Sequence, residues 1–480
     1  MKLNNKKVMF VGLAFLIICM FWQVYDNVIA KMLINSFGLN QTWSGVVMAL
    51  DNVLAVILLP IFGSLSDKTK TKFGKRTPYI FIGVILSAIL IMGVAFIDNF
   101  QQELVEKTGI GDIVEVVDED SDYYGMFEYD GEFYRVKEDA ADVRAADVIQ
   151  VTKNNKVFLI LFIVILFFTL IAMASYRTPA VSLMPDVTVK PLRSKANAII
   201  NLMGTAGGIV SLIFMSFLAK DYQSYIPTFA LLSFLMIALL VVFIFKVKEP
   251  KLVEEMEAES KLYGLDEKVE ETTETKADMP KDVRKSFYLI LLSIVFWFMA
   301  YNAATTKFSD YSGVVLNMGY TIPLLIAQAA AVISYIPIGI IASKFGRKKT
   351  ILVGIIILFT AFLLGSIATK DTTVLIYFTM ALAGIGWATI NVNSYPMIVE
   401  MSKGSNIGKY TGYYYTASMA AQTVTPILSG VLMDLLGRRV LFPYSVLFCV
   451  FAFISMNFVK HGDSKPIPTK TVEAYESLEE

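Results

Sequence analysis

The chain has few of the residues from which catalytic and metal sites are usually made. It holds one histidine, His461, and two cysteines, Cys19 and Cys449, in 480 residues. Both cysteines fall inside apolar runs, where a thiol packs as a small hydrophobe. They supply neither a disulfide framework nor a metal cluster. The single histidine lies beyond the last apolar run, which removes most histidine-based relays. Charge is also sparse. Only 18% of residues are charged, and 42 basic residues balance 42 acidic ones. Without a net field, nothing recruits nucleic acid. No pattern for ATP binding, metal ligation or a nucleophilic triad is present, so the expectation is a protein without enzymatic activity, metal or cofactor.

What the chain has in abundance is apolar length. Hydrophobic residues make up 55%, mean hydropathy is +0.59, and this excess over a soluble domain marks a polytopic membrane protein. A helix needs about 20 apolar residues to cross the hydrocarbon of a bilayer. Twelve such stretches begin near residues 8, 44, 78, 157, 196, 223, 287, 320, 350, 373, 410 and 440. Basic residues of short loops set the orientation. Lys68, Lys70, Lys72, Lys75 and Arg76 share one connection, Arg177, Lys190, Arg193 and Lys195 the next on that side, and Lys344, Arg347, Lys348 and Lys349 a third. Both termini are therefore expected in the cytoplasm, the protein in the inner cell membrane. Arg438 and Arg439, in the last outer turn, oppose the trend and are outvoted.

Two connections are long. Residues 98–156 lie on the outer side and hold 16 acidic against 6 basic residues. Within them MFEY and EFYRV flank Asp130-Gly131, the signal of a tight β-hairpin. IVEVV precedes it and VIQV follows. The segment reads as a small acidic β-module, serving either as a lid or partner-binding element or as a solvated spacer. Residues 247–286, with 12 acidic and 8 basic residues, read as a cytoplasmic linker opening at Glu249-Pro250, where a helix would stop. The expected domains are thus a six-helix half over 1–246 with the 98–156 insert, the linker, a second six-helix half over 287–460, and a tail over 461–480.

The halves echo each other. Pro60-Ile61-Phe62-Gly63 leads to Lys72-Phe73-Gly74-Lys75-Arg76-Thr77, and Pro337-Ile338-Gly339 leads to Lys344-Phe345-Gly346-Arg347-Lys348-Lys349-Thr350. Each falls between the second and third apolar segments of its half, the arrangement of the major facilitator superfamily. More specifically, Gly63-x-x-Ser66-Asp67 with Thr71-Lys72-Phe73-Gly74-Lys75-Arg76-x-Pro78 resembles the loop signature of the glycoside-pentoside-hexuronide cation symporters and the sucrose-transporter-like carriers. Arg177-x-Pro179 through Asp186, then Arg193-x-x-Ala196-Asn197, and Gly384-Ile385-Gly386-Trp387-Ala388 resemble two further signatures of the sucrose-transporter-like proteins. The resemblance implies an all-α twelve-helix carrier working by alternating access, in which Gly63, Asp67, Gly74, Arg76, Arg177, Asp186 and Arg193 form a gating latch. Plain topogenic charge is the competing account of the basic residues.

Ionisable residues inside apolar segments are functional candidates by default. Asp51 lies about 15 residues from the basic loop, hence roughly 20 Å up its helix, and Asp26 lies at similar height near the outer end of the first segment. Both are candidate proton sites, although Asp26 could instead sit at an aqueous mouth paired with Lys31. Two family patterns are missing. Leu59 and Ala55 stand where melibiose-type sodium symporters carry carboxylates, and Leu170 and Val181 stand where plant sucrose carriers place an aspartate and an arginine. Sodium coupling by that route is therefore not expected, and with the sucrose-carrier proton site missing, uncoupled transport stays open beside coupling through Asp51 or Asp26. Arg177 is equally readable as a substitute for the missing arginine or as a topogenic charge at the membrane edge. Sugar recognition needs aromatic faces together with amides and hydroxyls. The candidates are Gln23, Tyr25, Asn201, Tyr301, Asn302, Lys307, Trp387, Asn391 and Gln422, whereas the Tyr413-Tyr414-Tyr415 run reads as interfacial belt. The expected partners are a sugar or glycoside, H+ and the lipid bilayer, with the protein a monomer. Export of amphipathic drugs, or sensing through the outer insert, are the alternatives.

Overall fold

The computed structural model describes residues 4–118, 121–188, 193–262, 281–400 and 407–461. Eleven helices among them are long and apolar enough to cross a membrane, and a shorter apolar helix, Thr321–Tyr335, stands where the remaining span is expected. Apolar side chains fill the interior and cover much of the outside as well. Ile82, Ile89, Phe168, Phe234 and Phe245 point outward, as lipid-facing residues do, because a helix satisfies its own backbone and leaves only side chains to meet hydrocarbon.

The chain forms two compact units. The first comprises residues 1–275, 306–325 and 426–438; the second comprises 276–305, 326–425 and 439–480. These units are not the two sequence halves, since two segments of the second half pack into the first unit.

In the first unit α1 (Asn5–Asn35), α2 (Gln41–Lys68) and α3 (Thr77–Lys107) come first. The insert then contributes strands β1 (Val114–Glu115), β2 (Phe127–Tyr129) and β3 (Glu132–Tyr134) and helix α4 (Lys137–Asn154). There follow α5 (Val157–Asp186), α6 (Arg193–Leu218), α7 (Ile226–Lys246) and α8 (Glu249–Leu262). Helix α1 packs on α6, and α3 on α5 and α7. At Gly207 the α1–α6 approach is so close that a Cβ would fall 2.4 Å from the Leu16 carbonyl oxygen, the small-residue contact that membrane helices use in place of a hydrophobic drive.

The insert has a small core of its own in which Phe127, Tyr129 and Ala140 are buried. The three strands are antiparallel in the order β1-β2-β3. Asp130 and Gly131 both take positive φ, 51° and 77°, the backbone of a two-residue hairpin turn. The VIQV segment is not a strand. It lies in α4, where Ala140, Arg144, Val148 and Thr152 are the buried positions, a spacing of four that suits one helix face and that alternation over four residues cannot be told from.

In the second unit α9 (Lys281–Thr306) precedes α11 (Thr321–Phe345), with the short α10 (Phe308–Val314) belonging to the first unit. Then come α12 (Arg347–Ser366), α13 (Val374–Glu400), α14 (Ile407–Leu436) and α15 (Leu441–Asn457). Helix α12 packs on α13 and α15. Helix α7 ends at Lys246 as expected, but a new helix starts at Glu249, because proline is well placed in the first helical turn. The remainder of the linker, 263–280, and the tail, 462–480, lie outside the described residues.

Candidate functional site

Three groups of polar side chains stand out in the first unit. The innermost is built on an irregularity of α1. At Tyr25–Ile29 the helix widens to one π turn, a defect that recurs at functional sites because it releases backbone groups from the regular ladder. The turn carries Tyr25 and Asp26. The Asn27 amide donates to the Gln23 carbonyl oxygen at 2.7 Å. From α2, Asp51 accepts a 2.7 Å bond from Asn52 Nδ2. From α5, the Arg177 guanidinium lies 5.2 Å from the centre of the Trp22 ring and within electrostatic reach of both Asp26 and Asp51. Trp22 Nε1, Tyr25 OH and Asn27 Oδ1 are buried without a partner among the described residues. Two aspartates and one arginine, each part-buried, thus lie together with three open polar atoms.

This placement favours the substitute-arginine reading of Arg177 over the membrane-edge one. Helix α5 runs on through Pro179 and Pro185 to Asp186, which leaves Arg177 nine residues, about 13 Å, inside its end. Arg177 therefore stands near the aspartates. Nor does Lys31 pair with Asp26; it binds Asp221 at 2.6 Å. Asn201 is exposed on α6, and its backbone oxygen accepts from Thr205 Oγ1 within the helix.

The second group lies at the α2–α3 loop. Arg76 is buried, donating from Nε to Asp186 at 2.9 Å and from its terminal nitrogens to Asp67 and Ser66. Lys75 adds a 3.2 Å contact to Asp186. The expected latch residues Asp67, Arg76 and Asp186 are in direct contact. Gly63 faces Thr178, where an added Cβ would come within 3.1 Å of Cγ2. The Arg193 side chain lies outside the described residues. Glu249 was missed. Its buried carboxylate accepts from the backbone N–H groups of Lys75, Arg76 and Thr77 at 2.8 to 3.1 Å and from Thr77 Oγ1 at 2.7 Å. It therefore caps the start of α3 from the far end of the half. Gly74, at φ 106°, is where the two meet, since a Cβ there would sit 2.2 Å from Glu249 Cδ. An acid ahead of a proline at a helix start was the available signal, and its partner 172 residues away was not.

The third group lies on the side of the insert. Lys307, expected among sugar-contacting residues, instead donates to the Gln41 carbonyl oxygen at 2.9 Å and to Gln41 Oε1 at 3.1 Å. The Gln41 amide donates to Asp310 at 2.8 Å, while Asp434 accepts from the backbone N–H groups of Gln41 and Thr42, each at 2.9 Å. Lys31 sits between the Asp221 carboxylate and the Tyr320 ring, 4.4 Å from its centre. Burial by itself would raise the Asp221 carboxyl, but Lys31, and more weakly Lys137, outweigh it and hold that carboxyl below its ordinary value.

The second unit holds a group of different chemistry. Tyr301 of α9 and Trp387 of α13 stack face to face, with ring centres 4.1 Å apart and planes at 8°. Phe298 meets the indole edge-on at 5.0 Å. One turn beyond Trp387, Asn391 Oδ1 accepts from Tyr414 OH at 3.4 Å and Asn391 is also bonded to Tyr335. Tyr414, read as interfacial belt, is buried and shares a 3.3 Å bond with Ser394. Its two neighbours in the run are exposed, so a helix turns one tyrosine in three toward the interior, which the run of identical letters conceals. Asn302 adjoins Tyr301 on α9, and Gln422 Nε2 donates to the Ser418 carbonyl oxygen at 3.3 Å, two turns along α14 from Tyr414.

Comparison with known proteins agrees with this architecture. The sequence profile described as "Major Facilitator Superfamily" matches residues 149–334 and 324–476, and that described as "MFS/sugar transport protein" matches residues 10–105. Among solved structures, the inward-open xylose transporter XylE from E. coli aligns with 99% of this chain and 100% of its own, at 14% identity and a TM-score of 0.61. A point mutant of the nucleoside transporter NupG aligns with 95% of this chain and 100% of its own, at 13% identity and 0.61. A bacterial homologue of the human lysosomal transporter Spinster, inward-facing and unoccupied, aligns with 97% of this chain and 100% of its own, at 14% identity and 0.62.

Proposed function

The chain belongs to the major facilitator superfamily, and we propose that within it the protein is a carrier of the glycoside-pentoside-hexuronide and sucrose-transporter-like branch that moves a glycoside or disaccharide by alternating access. Carriage of a small solute across a membrane without covalent chemistry follows from the family. The finer reading rests on the second unit. The Tyr301–Trp387 stack, with Asn391 held by Tyr335 and Tyr414 beside it, supplies flat faces and an oriented amide. Such a set suits a pyranose, whose ring faces are apolar and whose rim is hydroxylated. A carrier of purely apolar solutes has no use for the oriented amide.

The energy source we propose is the proton, taken up in the first unit, where Asp26 and Asp51 share one interior with a single arginine. One guanidinium balances one carboxylate. The second carboxylate is then the group that gains most from binding a proton, since an unpaired buried charge is costly. We place the protein in the inner membrane with the basic loops and both termini in the cytoplasm, so that the Asp67–Arg76–Asp186 group is a cytoplasmic latch and the insert stands outside.

Counterflow in proteoliposomes with labelled mono- and disaccharides and a set of amphipathic drugs tests the reading. Exchange of at least one glycoside, weakened in Trp387→Ala, is the expected result. Exchange of the drugs alone would overturn it.

A further inference from the structure

The insert carries a device that the alternating-access reading does not require. Helix α4 lies along the first unit with Glu138, Asp142, Ala145, Ile149 and Thr152 at spacings of three and four, hence on one face. Toward its C-terminal end this face is fastened. Thr152 Oγ1 donates to the Phe37 carbonyl oxygen at 3.0 Å and accepts from Gln101 Nε2 at 3.0 Å. Gly38, at φ 66°, lets the chain approach until a Cβ would stand 2.5 Å from the Ile149 nitrogen and 2.6 Å from the Ala145 oxygen. Between these points Arg144 donates to the Asn35 and Gly111 carbonyl oxygens, each at 2.9 Å, and faces the Tyr222 ring at 4.4 Å.

The other end of the face holds Arg438. This guanidinium donates from NH1 to Asp142 at 2.7 Å and to Glu138 at 3.4 Å, and from Nε to Asp310 at 2.9 Å. The Arg438 backbone N–H also donates to Glu138 Oε1 at 2.7 Å. Lys137 donates to Asn317 Oδ1 at 3.2 Å, and Asn317 in turn donates to Glu115 of β1 at 2.6 Å. Every one of these partners outside the insert belongs to residues 306–325 or 426–438, the two segments of the second half that pack into the first unit. Arg438 is buried to 6% exposure, so releasing it from its carboxylates without replacement would leave a buried charge unpaired. A topogenic exception in the sequence is thus the residue on which the insert closes.

We propose that the 98–156 insert is a strap, anchored on α1, the α1–α2 connection and α3, whose Glu138 and Asp142 grip Arg438 and hold the insert-side mouth of the carrier shut. The strap must let go of Arg438 for that mouth to open, so its carboxylates set the balance between closed and open states. This rests on the alternating-access reading but not on the substrate.

The test reads the mouth directly and uses no substrate, so it can fail while sugar counterflow succeeds, and the reverse. In full-length protein with Cys19 and Cys449 replaced by alanine, Ser44→Cys places a reporter one turn beyond Gln41. Its reaction with a polar maleimide is followed in purified, nanodisc-embedded protein. In Glu138→Gln/Asp142→Asn, labelling is expected to speed up about tenfold, which corresponds to about 1.4 kcal/mol. Glu138→Lys/Asp142→Lys should speed it further. Labelling as slow as in the parent, in a variant that elutes as one symmetric peak, would overturn the strap. If the double variant does not fold, Asp142→Asn decides. That side chain is 62% exposed and its loss cannot unfold the unit, so labelling faster by about two- to fivefold supports the strap and an unchanged rate refutes it.

Discussion

Replacing Glu249 by glutamine should loosen the α2–α3 loop. Glutamine keeps the shape of the side chain and exchanges one carboxylate oxygen for an NH2 group. Oε1 accepts from the Lys75 and Arg76 N–H groups, and Oε2 from the Thr77 N–H and hydroxyl, with a longer bond from Arg76. Whichever oxygen is exchanged, at least one backbone donor then faces another donor. Two of the bonds are lost, and those to a charged acceptor contribute about 1.5 to 3 kcal/mol each. The negative charge at the start of α3 is lost as well, worth about 0.3 to 1 kcal/mol or more where buried. Glu249 is 1% exposed, so solvent screening does not soften the change. Water entering the opened loop recovers part of the loss, which leaves about 2 to 4 kcal/mol. Intrinsic-fluorescence melting of the detergent-purified protein should show a fall of several degrees, with Glu249→Asp falling between the two. A glutamine variant that melts within about a degree of the parent would refute the capping argument.

Three further outcomes follow from the other groups. Asp221→Asn should destabilise the protein by about 1 to 3 kcal/mol, since Lys31 is left buried, discounted because the Asp221 side chain is 30% exposed. Because the Asp221 carboxyl is held below its unfolded value near 4, its contribution is present above that pH and disappears as pH falls through the lowered value. A melting series from pH 7 to 3 should therefore show parent and variant converging at the acid end, and a constant gap would refute the assignment. Asp51→Asn in proteoliposomes should abolish pH-driven accumulation while leaving counterflow, and accumulation that survives intact would remove Asp51 as the proton site. Trp387→Ala should raise the half-saturation concentration for a transported glycoside about tenfold by removing one stacking face, and an unchanged value would detach the stack from recognition.

The fold was legible because apolar length is a property of composition. The membrane-length helices and the hairpin at Asp130-Gly131 could be read from local pattern, whereas α3 runs on to Lys107, into residues expected to belong to the insert. Long-range pairing could not. Nothing in the letters joins Glu249 to Thr77, or Arg438 to Glu138, since each is a contact between elements that only the packed bundle brings together. Arg177 shows the same limit from the other direction. Counted with the basic residues of its connection, it was readable as an edge charge or as a substitute arginine, and only the continuation of α5 past two prolines set it nine residues inside the helix end. Proline can be kept within a membrane helix because neighbouring groups satisfy the freed carbonyl oxygens, so proline marks helix ends less sharply here than in a soluble chain.

The repeated loop is where sequence and structure can be compared most closely. The Phe-Gly core recurs, and in both copies the glycine takes positive φ, 106° at Gly74 and 90° at Gly346. The duplication therefore preserved a backbone turn that residues with a Cβ adopt poorly. Side chains diverged around it. The first copy feeds a helix capped by Glu249 and an arginine held by Asp67 and Asp186. The second feeds α12, which starts at Gly346 without a side-chain cap, and there Lys348 donates to the Asn457 carbonyl oxygen at 2.9 Å. Arg76 is buried whereas Lys348 is not, and removing a buried charge leaves its partner carboxylates uncompensated. Neutralising the first loop should therefore shift the conformational balance much further than the matching change in the second. Arg76→Gln against Lys348→Gln, compared by cysteine accessibility on the loop side, puts that asymmetry to measurement, and equal effects would show that the shared turn, not the carboxylates, governs the loop.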